Sequence, residues 1–217
     1  MNIRNIIFDF GGVIMNIDYE ITIKKLLEAG VKDTKTLHHK IIEEDLYNGI
    51  ETGKISPQQF RDGLKEIINI PVSDEQIDDI WNALVLDIPE GRVRLLEAVK
   101  KHYRIFMLSN TNSIHYDKYR RQLEDHYGYK KFSDLFDEAY FSHLMGYRKP
   151  DQEIFHHVIE KEELDPDQTL FIDDTRENAL AAKEAGLKAY HLDLEKGEDV
   201  VDLFNNGKLV IGAEDLV

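Results

Sequence analysis

The chain contains no cysteine, so disulfides and thiol chemistry are excluded together. No apolar run approaches the roughly 20 residues that a bilayer span requires, and no basic stretch leads into an apolar signal core. A cytoplasmic location and no membrane partner are therefore expected. Basic residues are in deficit: 27 Lys and Arg stand against 42 Asp and Glu, a formal charge of −15. Like charge repels a polyanion at long range, which argues against nucleic acid as a partner. A small phosphorylated substrate is not excluded, because a local cation and a lysine can hold it. Neither internal repeats nor a low-complexity linker interrupt the chain.

What is present is an ordinary globular composition, 42% hydrophobic and 32% charged. At 217 residues the chain suits one full domain with a smaller insertion. The outer portions alternate strand and helix. Ile3 to Phe8, Tyr103 to Leu108, Glu138 to Phe141, Thr169 to Ile172 and Lys188 to Leu192 read as strands. Helical spacing fills Gly91 to His102, about 113 to 127, Asp151 to Glu162 and Thr175 to Ala185. Such alternation predicts an α/β fold, a doubly wound parallel sheet with right-handed crossovers. A weakly specified helix and tail are expected at the C-terminal end.

Residues 18–88 read as helices only. Apolar spacing predicts one over Tyr19 to Ala29 and another over Asp33 to Tyr47. Ser56-Pro57 opens a third, and the capping box of Ser73 and Gln76 opens a fourth. Four helices with short connections predict a small bundle. The expected organisation is a core of residues 1–17 and 89–217 with a helical unit at 18–88.

Chemistry concentrates at strand ends. Ile6-Ile7-Phe8 delivers the carboxylate of Asp9 into Gly11, Gly12 and Val13. A strand buried on both faces has no structural use for a charge, which is costly to desolvate unless a metal or donor meets it. The glycines let the chain turn and let a ligand approach the backbone. The strand at Tyr103–Leu108 ends in Ser109-Asn110-Thr111, and that at Thr169–Ile172 in Asp173-Asp174. Parallel strands bring their C-terminal ends to one edge, so these groups converge. Three carboxylates there would repel one another, and a hard divalent cation with oxygen ligands, Mg²⁺, relieves this. Lys149 precedes a Pro-led helix, where a loop can aim it at the same edge.

In this order, Asp9-Phe10-Gly11-Gly12-Val13, Ser109-Asn110-Thr111, Lys149-Pro150 and Asp173-Asp174 resemble the four signatures of the haloacid dehalogenase superfamily. The resemblance covers essentially the whole chain, the helical block at 18–88 matching the cap inserted after the first signature. With Asn16-Ile17-Asp18, the first signature is most similar to the small bacterial sugar-phosphatase branch that includes glucose-1-phosphatases. The resemblance implies a Rossmann-like core and a Mg²⁺-dependent phosphatase acting on a small phosphorylated metabolite. Asp9 would attack phosphorus and form an aspartyl-phosphate. Asp9, the Gly11 carbonyl and Asp174 would hold the metal, with Asp173 as a further or water-mediated ligand. Ser109, Asn110 and Lys149 would grip the phosphoryl group, with Gly11 and Gly12 giving it access to the backbone.

One departure stands out. Most phosphatases of the superfamily carry an acid/base Asp two residues after the nucleophile, and here that position is Gly11. The sugar-phosphatase branch shares the gap. Asp18 is the substitute by placement, with capping of the following helix as its structural alternative. A good leaving group such as an anomeric phosphate would need protonation less. The gap also occurs in the metal-independent 2-haloacid dehalogenases, but the acidic pair Asp173-Asp174 favours Mg²⁺. A phosphate-binding regulatory protein that lost turnover is the reading from another class.

Other features read as structural. His38-His39 and His156-His157 are adjacent pairs that split across helix faces. Trp81 is in phase with Ile77 and Leu84, in the core of the bundle. Arg148 reads as a substrate contact or an ion-pair partner, and Asn178 as an orienter of the acidic pair or an exposed amide. Asp18, Tyr19, Tyr47, Asn48 and the Gly49–Gly53 segment are candidate substrate contacts, with the two glycines as hinges. A monomer or weak homodimer is expected.

Overall fold

Strand β1 (Asn5–Phe8) lies at the centre of a parallel sheet because every one of its residues is buried. The computed structural model describes residues 2–217. β2 (Arg104–Ser109) and β4 (Thr169–Asp173) flank β1, placing Ile6 opposite both Ile105 and Leu170. β3 (Glu138–Phe141) and β5 (Lys188–His191) form the edges, so the order is β3-β2-β1-β4-β5. Alternate residues feed two apolar layers. Ile6, Phe8, Ile105 and Met107 pack with Val93, Leu96 and Val99 of α6 (Glu90–Val99) and Tyr119 and Leu123 of α7 (Ser113–Tyr127). Ile7, Phe106 and Phe171 pack on the other face against Phe155 and Val158 of α9 (Gln152–Lys161) and Ala179 and Ala182 of α10 (Arg176–Glu184). Helices on both faces of a parallel sheet make the doubly wound architecture expected from the alternation.

The helices at the start of the chain share an apolar cluster of their own. They are α1 (Tyr19–Glu28), α2 (Thr34–Glu43), α3 (Leu46–Glu51), α4 (Pro57–Ile68) and α5 (Asp74–Trp81). Leu26, Leu37, Ile41, Phe60, Leu64, Ile77 and Trp81 meet at its centre. Capping boxes start α4 at Ser56 and α5 at Ser73, as the sequence pattern predicted. Trp81 is a core residue of this bundle, 4.6 Å from Phe60 between ring centroids. His38, His39, His156 and His157 are exposed.

Two expectations need correction. The segment predicted as one helix over Asp33–Tyr47 is two, because Asp45 takes a left-handed conformation (φ 53°) that stops α2 and starts α3. The segment after β5 forms short 3₁₀ turns and a hairpin, β6 (Phe204–Asn205) with β7 (Lys208–Leu209), in place of a helix. Asn206-Gly207, both at positive φ, is the two-residue turn signal that specifies it.

Two chain segments join the bundle to the sheet and run antiparallel, with Ile17 bridged to Val85. α7 grips the second of them. Lys118 Nζ donates to the Asn82 and Val85 carbonyls, and Gln122 Nε2 donates to that of Leu86. The bundle therefore sits over the C-terminal edge of the sheet, above the strand ends that carry the polar residues.

Candidate active site

At the sheet's C-terminal edge β1, β2 and β4 deliver Asp9, Ser109 and Asp173, and the next turn adds Asp174. Lys149 arrives from the loop between α8 (Ser142–Met145) and α9. It is 1% exposed, and its ammonium donates to Asp9 Oδ1 at 2.5 Å, Asp173 Oδ2 at 2.7 Å and the Leu108 carbonyl at 2.9 Å. All three N–H groups of the ammonium are thus committed. Burial alone would pull Lys149 down, but Asp173 and Asp9 outweigh it and hold the group above its ordinary pKa. The loop is fixed by Asn110, whose side-chain amide donates to the Lys149 carbonyl and accepts from its N–H, each at 2.8 Å.

The two acids of the β4 turn differ. Asp173 is fully buried and accepts from Lys149, from the Thr175 N–H at 2.8 Å, and from Asn178 Nδ2 on both oxygens. Asn178 therefore orients Asp173, one member of the acidic pair, from the first turn of α10. Asp174 is less buried, and among the described residues its carboxylate accepts no side-chain hydrogen bond. Gly12 packs directly beneath it. At φ +82° and with a Cβ that would run into the Asp174 carboxylate, position 12 admits only glycine. Gly11 is not constrained in this way, since a Cβ there would meet Ile17 at 3.5 Å, an ordinary contact.

Ligand oxygens of Asp9, Asp173 and Asp174 lie within 4.8 Å of one another. One ammonium against three carboxylates leaves two negative charges uncompensated. Burial raises the pKa of Asp9, with Lys149 opposing and Asp173 and Asp174 adding to the rise; burial and Asp173 also raise Asp174. Gly11 lines the same space, and its carbonyl receives no backbone hydrogen bond among the described residues. An all-oxygen donor set with two excess negative charges fits a hard divalent cation of the Mg²⁺ kind.

Above these groups is a cavity of about 430 Å³, roofed by the helical bundle. Tyr19 and Tyr47 reach it from α1 and α3, as does Glu51, which is 4% exposed. Arg148 pairs with Glu51, Nε to Oε2 at 2.9 Å, and its guanidinium lies 5.4 Å from the Tyr47 ring centroid. Arg148 is thus an ion-pair partner that also lines the cavity. His115 of α7 stacks on Trp81 (5.5 Å, 8° between planes) and its Nδ1 is 3.1 Å from Asn82 Oδ1. Burial lowers its pKa to about 3, so the ring is neutral.

Of the residues predicted from sequence, Asp9, Gly11, Ser109, Asn110, Lys149 and Asp174 line this cavity, Gly12 and Asp173 do not, and Asn48 lines a neighbouring one. Asp18 accepts from the Glu20 N–H as the N-cap of α1 and does not line the cavity. Its structural alternative is the one observed, because an extended Asp before a helix satisfies an orphan N–H. Gly49 is no hinge, since it lies within α3 against Ile55, whereas Gly53 at φ +67° seats the turn after α3 against the His143 carbonyl. Sequence reading did not weigh His115. Its one signal was its place four residues after Thr111, on the helix that follows the second strand end.

Comparisons with known proteins agree with this geometry. A profile of haloacid dehalogenase-like hydrolases matches residues 3–186. This chain belongs to that family. Among curated members it is 29% identical over 188 residues to a D-ribitol-5-phosphate phosphatase of Bacteroides thetaiotaomicron, covering 87% of this chain and 91% of that one. A sesquiterpene phosphatase of Aspergillus oryzae, astK, is also 29% identical, over 86% of this chain and 88% of its own. Among solved structures, the family enzyme BT-2542 of B. thetaiotaomicron complexed with magnesium and inorganic phosphate superposes with a TM-score of 0.81. It is 36% identical, over 94% of this chain and all of that one. Among the described residues no helix is long and apolar enough to cross a membrane.

Proposed function

We propose that this hydrolase is a Mg²⁺-dependent phosphomonoesterase acting on a small phosphorylated metabolite, a sugar or polyol phosphate. The observation that carries the reading is the buried cluster of Asp9, Asp173 and Asp174 with one lysine, two negative charges in excess, opening into a cavity. The sugar-like class draws support from the ribitol-phosphate relative and the polar cavity roof.

Asp9, held by Lys149 with one oxygen turned to the cavity, attacks phosphorus. An O–P bond forms to the aspartate as the bond to the leaving oxygen breaks, and water then hydrolyses the aspartyl-phosphate and regenerates the carboxylate. Splitting one displacement into two gives the water step a carboxylate leaving group in place of an alkoxide. Ser109 and the backbone at Asn110 meet the phosphoryl oxygens at the end of β2. Lys149 acts through Asp9 and through its charge, because its donors are committed to Asp9, Asp173 and Leu108. Asp173, buttressed by Asn178, fixes Lys149. A Mg²⁺ held by Asp9, Asp174 and the Gly11 carbonyl supplies neutralisation of phosphoryl charge when bound. The unit at 18–88 acts as a cap that excludes water and shapes the site around the leaving group.

With Gly11 in place of an acid and Asp18 committed to its helix, leaving groups that depart without strong protonation are favoured. Comparing rates on sugar-1-phosphates and alkyl phosphates tests this, and equal rates would sink it. The reading as a whole is tested by hydrolysis of p-nitrophenyl phosphate and a panel of sugar phosphates with and without Mg²⁺. Metal-dependent turnover that vanishes in Asp9→Asn is expected; undiminished turnover by Asp9→Asn would overturn the mechanism.

A further inference from the structure

The roof of the cavity holds a carboxylate that the hydrolytic chemistry does not use. Glu51 closes α3, is 4% exposed, and faces the same cavity as Asp9. Its Oε2 and the Nε of Arg148 stand 2.9 Å apart, in contact with each other and closed to solvent. Arg148 thus fixes the Glu51 carboxylate in the cavity wall, as an ion pair that leaves the rest of the residue's edge to the cavity. Two phenol hydroxyls stand beside them. Tyr47 lies against both, and burial followed by Glu51 pushes its pKa well above the ordinary value, so it stays a neutral donor. Tyr19 stands at the rim, 57% exposed.

Charge balance narrows the ligand further. Among the described residues that line this cavity, Arg148 and Lys149 are the only cations, and each is already matched by carboxylates. His115 is neutral. A substrate with a second anionic group, a carboxylate or another phosphate, meets no free cation here and would face Glu51. Hydroxyl groups suit every atom on offer, since each both donates and accepts.

Resting on the phosphatase reading, we propose that Glu51, held by Arg148, is the specificity-determining residue that hydrogen-bonds the hydroxyls of the leaving group. The substrate class is then a monophosphate of a neutral polyhydroxylated alcohol, selected over phosphates that carry a further negative charge or an apolar tail. The apolar tail is the sharpest competitor, because a second cavity of about 790 Å³, walled by Leu26, Leu37, Ile41 and Trp81, adjoins the site at Tyr19, Tyr47 and Arg148.

The test measures kcat/KM with Mg²⁺ on four compounds: D-ribitol 5-phosphate, n-pentyl phosphate, 3-phosphoglycerate and p-nitrophenyl phosphate. The first two share a carbon count and differ in hydroxyls. The wild type is expected to prefer ribitol 5-phosphate over pentyl phosphate and over phosphoglycerate by about 100-fold each, because a site built for hydroxyls rejects analogues that lack them. Glu51→Gln keeps the volume and removes the charge. It is expected to lower kcat/KM on ribitol 5-phosphate about 30-fold, and that on p-nitrophenyl phosphate no more than about threefold. Equal wild-type rates on pentyl and ribitol phosphates, or equal losses in the variant on ribitol and nitrophenyl phosphates, would overturn the assignment. The wild-type ratios need no variant, so an unstable Glu51→Gln leaves the test intact. Absence of any metal-dependent nitrophenyl phosphate hydrolysis would instead strike the phosphatase reading itself.

Discussion

The floor and the roof of the same cavity are built on opposite terms. On the floor the central groups are saturated: Lys149 has three acceptors, Asp173 takes four hydrogen bonds, and Asn110 locks the loop that carries the lysine, while Asp174 alone is left open for a cation. On the roof, Glu51 has a single cation, Arg148, to hold it, and Tyr19 is 57% exposed. The floor comes from buried strand ends, where an unsatisfied charge costs several kcal/mol and geometry must be closed. The roof comes from a helical unit with its own small core, which brings side chains to the cavity from outside the sheet. Chemistry needs a fixed constellation and selection needs an adaptable one, and the two are divided between separate pieces of the fold.

Changes to the floor should cost the most. Asp9→Asn keeps the side chain's volume but removes the nucleophile, and turnover should fall on the order of 10⁴- to 10⁶-fold in steady-state assays. Lys149→Met should abolish activity and also destabilise the metal-free protein by about 3–5 kcal/mol in urea titrations, because Asp9 and Asp173 would be left buried without a counter-charge. A neutral effect on stability would show that the floor is not the closed network described.

Metal should act on the floor alone. Mg²⁺ at about 100 times its dissociation constant should add about 2.7 kcal/mol of stability by mass action. The accompanying rise in melting temperature should disappear in Asp174→Asn. A shift that survives this substitution would place the cation elsewhere.

His115 joins roof to floor through Trp81 and Asn82, and it gives the junction a pH signature. Burial, with a smaller contribution from Lys118, depresses its folded pKa to about 3 from an ordinary 6.5. Between those values the unfolded chain holds a proton that the folded one does not. Stability from this residue is therefore complete above about pH 6.5 and is lost as the pH falls toward 3, by up to about 1.4 kcal/mol per unit. Melting curves between pH 7 and 5 should fall less steeply for His115→Gln than for the wild type; parallel curves would remove the residue from the account. The smallest effect belongs outside the cavity. Asp18→Ala should cost about 1 kcal/mol as a lost N-cap and change kcat/KM less than about threefold, whereas a large kinetic loss would return Asp18 to the substrate.

Much of the floor was legible in the sequence because burial and charge conflict there. An apolar run ending in Asp9, or in Asp173-Asp174, has few physical explanations, and parallel strands bring their ends to one edge whatever their spacing along the chain. The bundle was legible through apolar spacing and through the capping boxes at Ser56 and Ser73. The break at Asp45 was not, because a left-handed residue inside a good helical pattern leaves little local trace. Asn206-Gly207 did carry a local signal, which specifies a hairpin where a helix was expected. The pairing of Glu51 with Arg148, 97 positions apart, and the stacking of His115 on Trp81 had none.

The amino-acid sequence by itself determined that strands alternate with helices, that a helical unit is inserted, and that acids end buried strands, because period, capping and burial are local or pairwise properties of the chain. Only the tertiary structure decided which acid is locked and which is open, that Asp18 serves its helix, and that a glutamate from the bundle stands over the nucleophile. Those outcomes depend on which side chains meet across elements distant in sequence, and on how many hydrogen bonds each has left after they meet.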